Sequence, residues 1–300
     1  MSLLDQAIVG LLPLVPKPIV RRFSSRYIAG DDLTSAMRTI RRLNSGRLMA
    51  TVDVLGEFIS RLDEANATAA EYERVLAAVQ AERLDANISI KLSGFGLLLD
   101  QDHCYRLVEE LCRAAARRHS FVRIDMEDSS CTTDTLNIYR RLRAAGHDNV
   151  GVVLQAYLRR SMEDIEALLP LNPSVRVCKG IYVESENLAF KDPDEIRASY
   201  ERMVERLLAA GCYVGMATHD PALVRSGEAL VRRLGLHPAA YEFQMLLGVA
   251  EDIRQRLIDA GHRLRVYVPY GAEWYAYSVR RLKENPRIAG YVLRNLIAGR

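Results

Sequence analysis

Blocks of like charge are absent from this 300-residue chain: 41 Lys and Arg are interspersed with 38 Asp and Glu for a net charge of +3, so composition does not point to nucleic acid. Cysteine is sparse. Its five occurrences, Cys104, Cys112, Cys131, Cys178 and Cys212, are odd in number and show no C-x-x-C or Cys/His ligand spacing. That pattern fits reduced thiols in a cytosolic chain, serving as small apolar core residues, and argues against a zinc site. No basic n-region precedes the apolar opening "MSLLDQAIVGLLPLVPKPIV", which carries Asp5 early and prolines at 13, 16 and 18. It reads as neither a secretory signal nor a bilayer span, and the expectation is a short amphipathic arm that packs on the body or touches a membrane surface, with packing the default. Motifs that would identify a reaction class at once are missing too: no G-x-G-x-x-G after the first strand, no nucleophile elbow, no H-E-x-x-H and no clear carboxylate dyad. "SGFG" at 93–96 is only a loop-sized glycine pair, and His219 beside Asp220 falls short of a metal cluster, so no metal site is expected.

What is present is a regular alternation. Eight apolar, β-branched runs read as strands: "RLMATVD" near 47, "NISIKLS" at 87, "FVRIDME" at 121, "VGVVLQAY" at 150, "VRVCKG" at 175, "CYVGMATH" at 212, "YEFQML" at 241 and "RLRVYVPYG" at 263. Segments of helical period separate them, from "AEYERVLAAVQAERL" through "VAEDIRQRLIDAG", and "WYAYSVRRLKENP" at 274–286 follows the last. Eight β-then-α units over roughly 250 residues is the count and length of a (β/α)₈ barrel, TIM-like, whereas an open doubly wound sheet offers fewer strands and a switch point. The barrel is assigned to residues 46–300 and a helical arm to residues 1–45.

Chemistry in such a barrel sits where strands run out into the following loops. The polar residues there are Asp53 and then Glu57 after the first strand, Lys91 after the second, and Arg123, Asp125, Glu127 and Asp128 around the third. Gln155 ends the fourth, Arg176 and Lys179 flank the end of the fifth, and Thr218, His219 and Asp220 end the sixth; Glu242 and Gln244 lie on the seventh and Tyr267 on the eighth. By the period of two, Lys91 shares a side with Ser89 and Ser93, and Arg123 shares one with Asp125 and Glu127. A buried lysine needs a partner, and Lys91 beside Asp125 is a sensible pair, as an ion pair without further duty or as part of a site. On the final segment, Tyr277, Arg280, Arg281 and Glu284 fall on one helical face, either a solvated flank or, if that helix lies over the strand ends, a donor array suited to a carboxylate.

Taken together, "SIKLSGFG", "FVRIDMED", "GVVLQAY", "VRVCKGIY", "MATHD", "YEFQML", "RVYVPYG" and "YAYSVRRLKEN" resemble the proline dehydrogenase family, from about Asp53 to Glu284. The resemblance implies a distorted barrel with its last helix over the strand C-terminal ends, a non-covalently bound FAD, oxidation of L-proline to Δ1-pyrroline-5-carboxylate, and electrons passed to a quinone at a membrane. By the same resemblance Arg280 and Arg281 grip the proline carboxylate, with Lys91 and Asp125 beside them and Glu57 as an ion-pair partner closing over the site; Tyr277, Tyr267 and Leu246 pack on the pyrrolidine ring. Gln155, Arg176, Lys179, Thr218, His219 and Gln244 then hold the flavin, with Gly180, Tyr182, Asp125 and Glu284 around it and Arg176 the cation near its reactive end. Catalytic duty falls on Lys91, Asp125 and Arg176.

Departures from the family pattern stand beside the matches. Bifunctional bacterial members read Ala-Tyr-Trp after the Lys-Gly where this chain reads Ile181, Tyr182 and Val183, so one aromatic wall of the flavin pocket is absent or supplied from elsewhere, and Met245 stands where they carry Arg. The length is that of a single-activity member, without room for an aldehyde-oxidising domain. The expected location is cytoplasmic, with peripheral contact at the inner face of the membrane, and an oligomer is compatible with the pattern. Two rivals remain at this level: a Schiff-base aldolase using Lys91 or Lys179 on the same barrel, and a non-catalytic barrel that senses proline or flavin.

Overall fold

The structure is a computed structural model that describes residue 21, residues 26–275 and residues 277 and 278; Arg280, Arg281 and Glu284 lie outside the described residues. Helix α1 (Leu33–Ser45) precedes β1 (Met49–Val54), and seven α/β pairs follow: α2 (Leu62–Ala81) and β2 (Ala86–Ile90), α3 (Gln101–Ala116) and β3 (Val122–Ile124), α4 (Ser129–Ala144) and β4 (Val150–Gln155). The chain continues through α5 (Ser161–Leu168), β5 (Val175–Cys178), α6 (Pro193–Ala209), β6 (Val214–Ala217), α7 (Pro221–Arg233), β7 (Tyr241–Leu246), α8 (Glu251–Asp259) and β8 (Leu264–Tyr270). All eight strands are parallel and pair in chain order, and β1 closes on β8 with Val54 opposite Tyr270. The expected (β/α)₈ barrel is what the chain forms.

Strand alternation sorts the side chains into two shells. Val52, Ile88, Ile124, Val152, Val177, Val214, Phe243 and Val266 belong to the apolar core that the strands share with the helices. The residues between them are polar: Asp53, Ser89, Arg123, Gln155, Arg176, Glu242, Gln244 and Arg265 are all buried. They face the barrel interior, because Arg176 on β5 bonds Ser89 on β2 and Tyr267 on β8 bonds Asp125 beyond β3, and non-adjacent strands of a closed barrel meet only through its middle.

Helix starts are set chemically. Asp32, Asp100, Asp128, Asp192 and Asp220 each accept a backbone N–H in the first turn of α1, α3, α4, α6 and α7, and prolines at the first positions of α6 and α7 reinforce two of them. Asp128 and Asp220, grouped by sequence with the strand-end polar residues, therefore serve as helix caps, Asp220 with a second duty described below. Several sequence-read strands run too long; among them β2 stops at Ile90, β3 at Ile124, β5 at Cys178 and β6 at Ala217, so Lys91, Asp125, Lys179 and Thr218 stand just past the ladder. Lys91 opens a short 3₁₀ turn, Leu92–Phe95.

Helix α1 packs against β1 and β8 through Ala36, Met37, Ile40 and Leu43, which join the main core. A regular barrel covers that seam with the helix after its eighth strand. Here the seam is taken, and the chain after β8 turns elsewhere: Trp274, Tyr275, Tyr277 and Ser278 are helical, and Trp274 and Tyr277 cluster with Ile28 and Leu55 at the ends of the strands.

Candidate active site

A cavity of about 610 Å³ opens at the C-terminal ends of the strands, large enough for a drug-sized ligand. Its floor is a network of charge. The Lys91 ammonium donates to Asp53 Oδ1 at 2.7 Å and to the Tyr267 hydroxyl at 3.3 Å, with Asp125 Oδ2 at 3.9 Å. Tyr267 donates to Asp125 Oδ2 at 2.8 Å, and Ser89 Oγ and Arg176 Nη1 reach Asp125 Oδ1 at 2.7 and 2.6 Å. Lys91 and Asp125 thus meet as sequence reading expected, but the primary partner of Lys91 is Asp53, and Asp125 belongs chiefly to Arg176 and Tyr267. The Arg176 guanidinium lies 5.4 Å from the Tyr267 ring centre and bonds Gln244 Oε1 through Nε.

Burial opposes the charge on Lys91, yet Asp53 and Asp125 outweigh it and raise the ammonium above the ordinary lysine value. Burial also pushes Asp53 up, against the pull of Lys91, and drives the Tyr267 phenol well above its usual range. A Schiff-base lysine needs a depressed pKa, so Lys91 is poorly suited to that role. Lys179 is engaged by Asp220 at 2.6 Å; burial would raise this carboxyl, but Lys179 and Arg197, the latter at 2.8 Å, hold it below the usual carboxylate range.

Two groups on the wall retain bonding capacity. Gln155 Nε2 donates to the carbonyls of Met126 and Glu127 at 3.1 and 2.7 Å, while its buried Oε1 has no partner among the described residues. Arg176 spends Nε on Gln244 and Nη1 on Ser89 and Asp125; its Nη2 makes no hydrogen bond among the described residues. Gly180 has φ +106°, and a Cβ there would stand 2.1 Å from the Tyr157 ring, so only glycine lets the loop after β5 fold against that ring. Thr218 Oγ1 accepts from the Asp220 amide at 3.1 Å, and His219 Nε2 accepts from the Leu246 amide at 2.8 Å, which assigns the ring proton to Nδ1.

Of the sequence-predicted residues, Lys91, Asp125, Gln155, Arg176, Lys179 and Gly180 line the cavity, as do Tyr182, Thr218, His219, Gln244, Leu246, Tyr267 and Tyr277. Glu57, half-buried on the loop after β1, acts on Lys91 electrostatically but is not on the cavity wall. Arg123 is corrected: it lies deep in the barrel, donating to the carbonyls of Val152 and Ser174 at 3.0 and 2.6 Å and to Ser174 Oγ at 2.9 Å. Glu127 accepts from the Ser93 amide and hydroxyl, so it locks the turn after β2 and Ser93 does not join Lys91. Of the altered positions, Ile181 lines the cavity, Val183 is fully exposed, and Met245 is buried in the core while also reaching the cavity wall. Sequence reasoning missed Asp53 as the anchor of Lys91, the place of Cys178 on the wall, and Arg197, which sits on the polar face of α6 and reads there as a solvated charge.

Comparison with known proteins bears on this geometry. The family model described as proline dehydrogenase matches residues 36–294. The chain belongs to the proline dehydrogenase family. Among curated members it is 36% identical over 272 residues to proline dehydrogenase 1 of Bacillus subtilis (strain 168), covering 91% of this chain and 90% of that one. It is 35% identical over 285 residues to the proline dehydrogenase of Deinococcus radiodurans, covering 92% and 90% respectively. Among solved structures, proline utilization A from Bdellovibrio bacteriovorus, inactivated by N-propargylglycine, superposes with a TM-score of 0.83 at 23% identity over 93% of this family member, which spans 36% of that longer chain. That likeness concerns the barrel.

Proposed function

We propose that the chain oxidises L-proline to Δ1-pyrroline-5-carboxylate, the opening step of proline catabolism, with a non-covalent FAD in the cavity and a quinone-type acceptor. The observation that carries this reading is the cavity floor: an ammonium held charged at Lys91 and a guanidinium at Arg176 tethered on two sides with its third nitrogen uncommitted, at the strand ends of a member of this family. The donor set suits a flavin. An uncommitted amide oxygen at Gln155, the Arg176 nitrogen and the cationic edge of Lys179 and Arg197 match a heteroaromatic imide joined to phosphates. Gln155, Arg176, Lys179, Thr218, His219 and Gln244 would hold it, with Gly180 and Tyr182 on the loop beside it and Glu284 in reserve by resemblance.

Oxidation removes a hydride from C5 of proline and a proton from its nitrogen, leaving a C5=N bond, and accepting that hydride is the chemistry a bound flavin supplies. The chain's own contribution is placement and charge. Lys91 offers its ammonium to the proline carboxylate together with Arg280 and Arg281, and Tyr267 presents its ring beside Arg176. Tyr277 and Leu246 close an apolar wall suited to methylene groups and exclude water from them. Lys91 remains protonated, Tyr267 is pushed away from ionisation, and Asp125 is engaged by three donors. None of these is a ready general base, so proline is expected to bind as the free amine. Peripheral contact with a membrane would bring the acceptor within reach; no helix among the described residues is long and apolar enough to cross one.

Purified protein is expected to be yellow with a flavin spectrum that bleaches on adding proline and recovers with a quinone analogue. A colourless protein that forms a borohydride-stable adduct with a carbonyl substrate would replace this reading with the aldolase. Flavin that is bound but unreduced by proline would favour the sensor.

A further inference from the structure

Below the cavity floor, the interior holds a second row of polar groups that the proposed mechanism does not use. Glu242 on β7 is buried, and among the described residues its one hydrogen bond to the cavity lining is with Gln244. Its Oε1 accepts from Arg265 Nε at 2.8 Å and from Gln244 Nε2 at 2.5 Å, and its Oε2 accepts from the Tyr213 hydroxyl at 2.7 Å. Gln244 in turn accepts from Arg176 Nε through Oε1. The space for this is made by Gly215 on β6, where a Cβ would stand 2.5 Å from Gln244 Nε2.

The orientation of the Gln244 amide follows from its neighbours. A carboxylate only accepts, and a guanidinium only donates. The NH₂ end of the amide must therefore face Glu242 and the oxygen must face Arg176; reversed, it would set oxygen against carboxylate and NH₂ against guanidinium. Arg265 keeps Glu242 ionised despite burial, which by itself would raise that carboxyl, and holds it near pKa 2. Arg176 then has Nε tied to Gln244 and Nη1 tied to Asp125, which leaves one direction for Nη2.

We propose that Glu242, with Arg265, is a positioning residue: through the Gln244 amide it aims the Arg176 guanidinium into the cavity and so sets how tightly, and at what potential, the flavin is held. This rests on the flavin reading given above. Arg176 without the brace keeps its tie to Asp125 but can rotate about it, so the positive charge next to an electron-rich reduced ring becomes less well placed.

The test uses the full chain, titrated with FAD and then taken through a spectroelectrochemical reduction. Replacing the pair together, Glu242→Met with Arg265→Met, avoids a lone buried charge, and apolar replacement of a buried pair is often tolerated. The expected result is an FAD Kd weakened by about tenfold to a hundredfold, the range of one hydrogen bond to a charged group, with a more negative midpoint potential. Glu242→Gln with Arg265→Gln retains an amide oxygen for Gln244 and should restore most of both. Gln244→Leu keeps the lower pair but removes both the link and a group that borders the flavin, so it should lose at least as much, and adding the Met pair to it should cost nothing further, as coupled residues on one path require. If the Met pair fails to fold, Gln244→Leu against the Gln pair carries the same decision. Wild-type Kd and potential in the Met pair, or in Gln244→Leu, overturns the proposal. Wild-type protein that binds no FAD overturns the flavin reading itself, and this proposal with it.

Discussion

The floor of the barrel, below the cavity, and its mouth are both lined with buried charge, and they differ in how fully the charged groups are spent. At the floor, Arg123 spends itself on two carbonyls and the Ser174 hydroxyl, and Glu242 is met by Arg265, Gln244 and Tyr213. At the mouth, Gln155 Oε1 has no partner among the described residues, and Arg176 keeps a nitrogen in hand. Charge inside a barrel is thus not a sign of a site by itself. Unspent hydrogen-bonding capacity beside a cavity is, because a buried polar atom without a partner costs roughly 1–3 kcal/mol that a ligand can recover.

The sharpest test of that contrast starts from Arg281, which lies outside the described residues and to which the resemblance assigns the proline carboxylate. Arg281→Met should raise the proline KM by roughly thirty-fold to a thousand-fold while flavin stays bound, the equivalent of an Arg–carboxylate contact worth about 2–4 kcal/mol. An unchanged KM would remove Arg281 from carboxylate binding. The matched change at the floor, Arg123→Met, should do the reverse: a loss of about 1–3 kcal/mol in urea unfolding from stranded acceptors, with KM for proline within about twofold of wild type. A large KM effect from Arg123 would erase the distinction between the two ends.

A smaller effect is expected from Asp53→Asn, which keeps the shape and removes the strongest attraction on Lys91. Burial is then opposed only by Asp125 and Glu57, so the Lys91 pKa falls. Because the ammonium is the form that binds carboxylate, the alkaline rise in KM should begin at correspondingly lower pH. Stability at neutral pH should fall as well, because the change leaves the buried Lys91 ammonium without its nearest counter-charge. A pH–KM profile that superposes on wild type would show that Asp53 does not govern Lys91. Least affected should be Cys178→Ala. Its thiol lies on the cavity wall, but burial pushes it up to about 11, so alkylation at neutral pH should be slow and the variant's kcat within about twofold of wild type.

Much of this architecture was legible beforehand, for identifiable reasons. β-branched runs marked all eight strands, because a parallel sheet buries both faces and tolerates little else on its outer one. Boundaries were harder: the ladder of "NISIKLS" ends at Ile90, with Lys91 extended and Leu92 already in a 3₁₀ turn, and that of "FVRIDME" ends at Ile124, because alternation of apolar and polar residues does not mark where ladder bonds stop. Helix α2 begins at Leu62, eight residues before the run "AEYERVLAAVQAERL", since Asp63 and Glu64 favour its first turn and Ala65 packs inward. The wall residues were found because polar side chains at strand ends are few and their place in the barrel is fixed by topology. Pairing was not legible. That Lys91 turns to Asp53 depends on where β1 and β2 place two side chains across the interior, and a lone Asp closing an apolar strand looks like any strand terminator. Arg197 was invisible for the opposite reason, since a cation on the wet face of an amphipathic helix is the commonest thing such a face carries.

Helix α1 fills the β8–β1 seam that the final helix of a regular barrel would clothe. Insulation of the fold thereby falls to the amino-terminal side of the polypeptide, and on the proposed reading recognition of the substrate falls to the opposite end. A library randomised from Trp274 onward could retune which amino acid is accepted without stripping the scaffold, whereas the same freedom spent on Ala36, Met37, Ile40 and Leu43 would unclothe the barrel and leave the recognition surface unaltered.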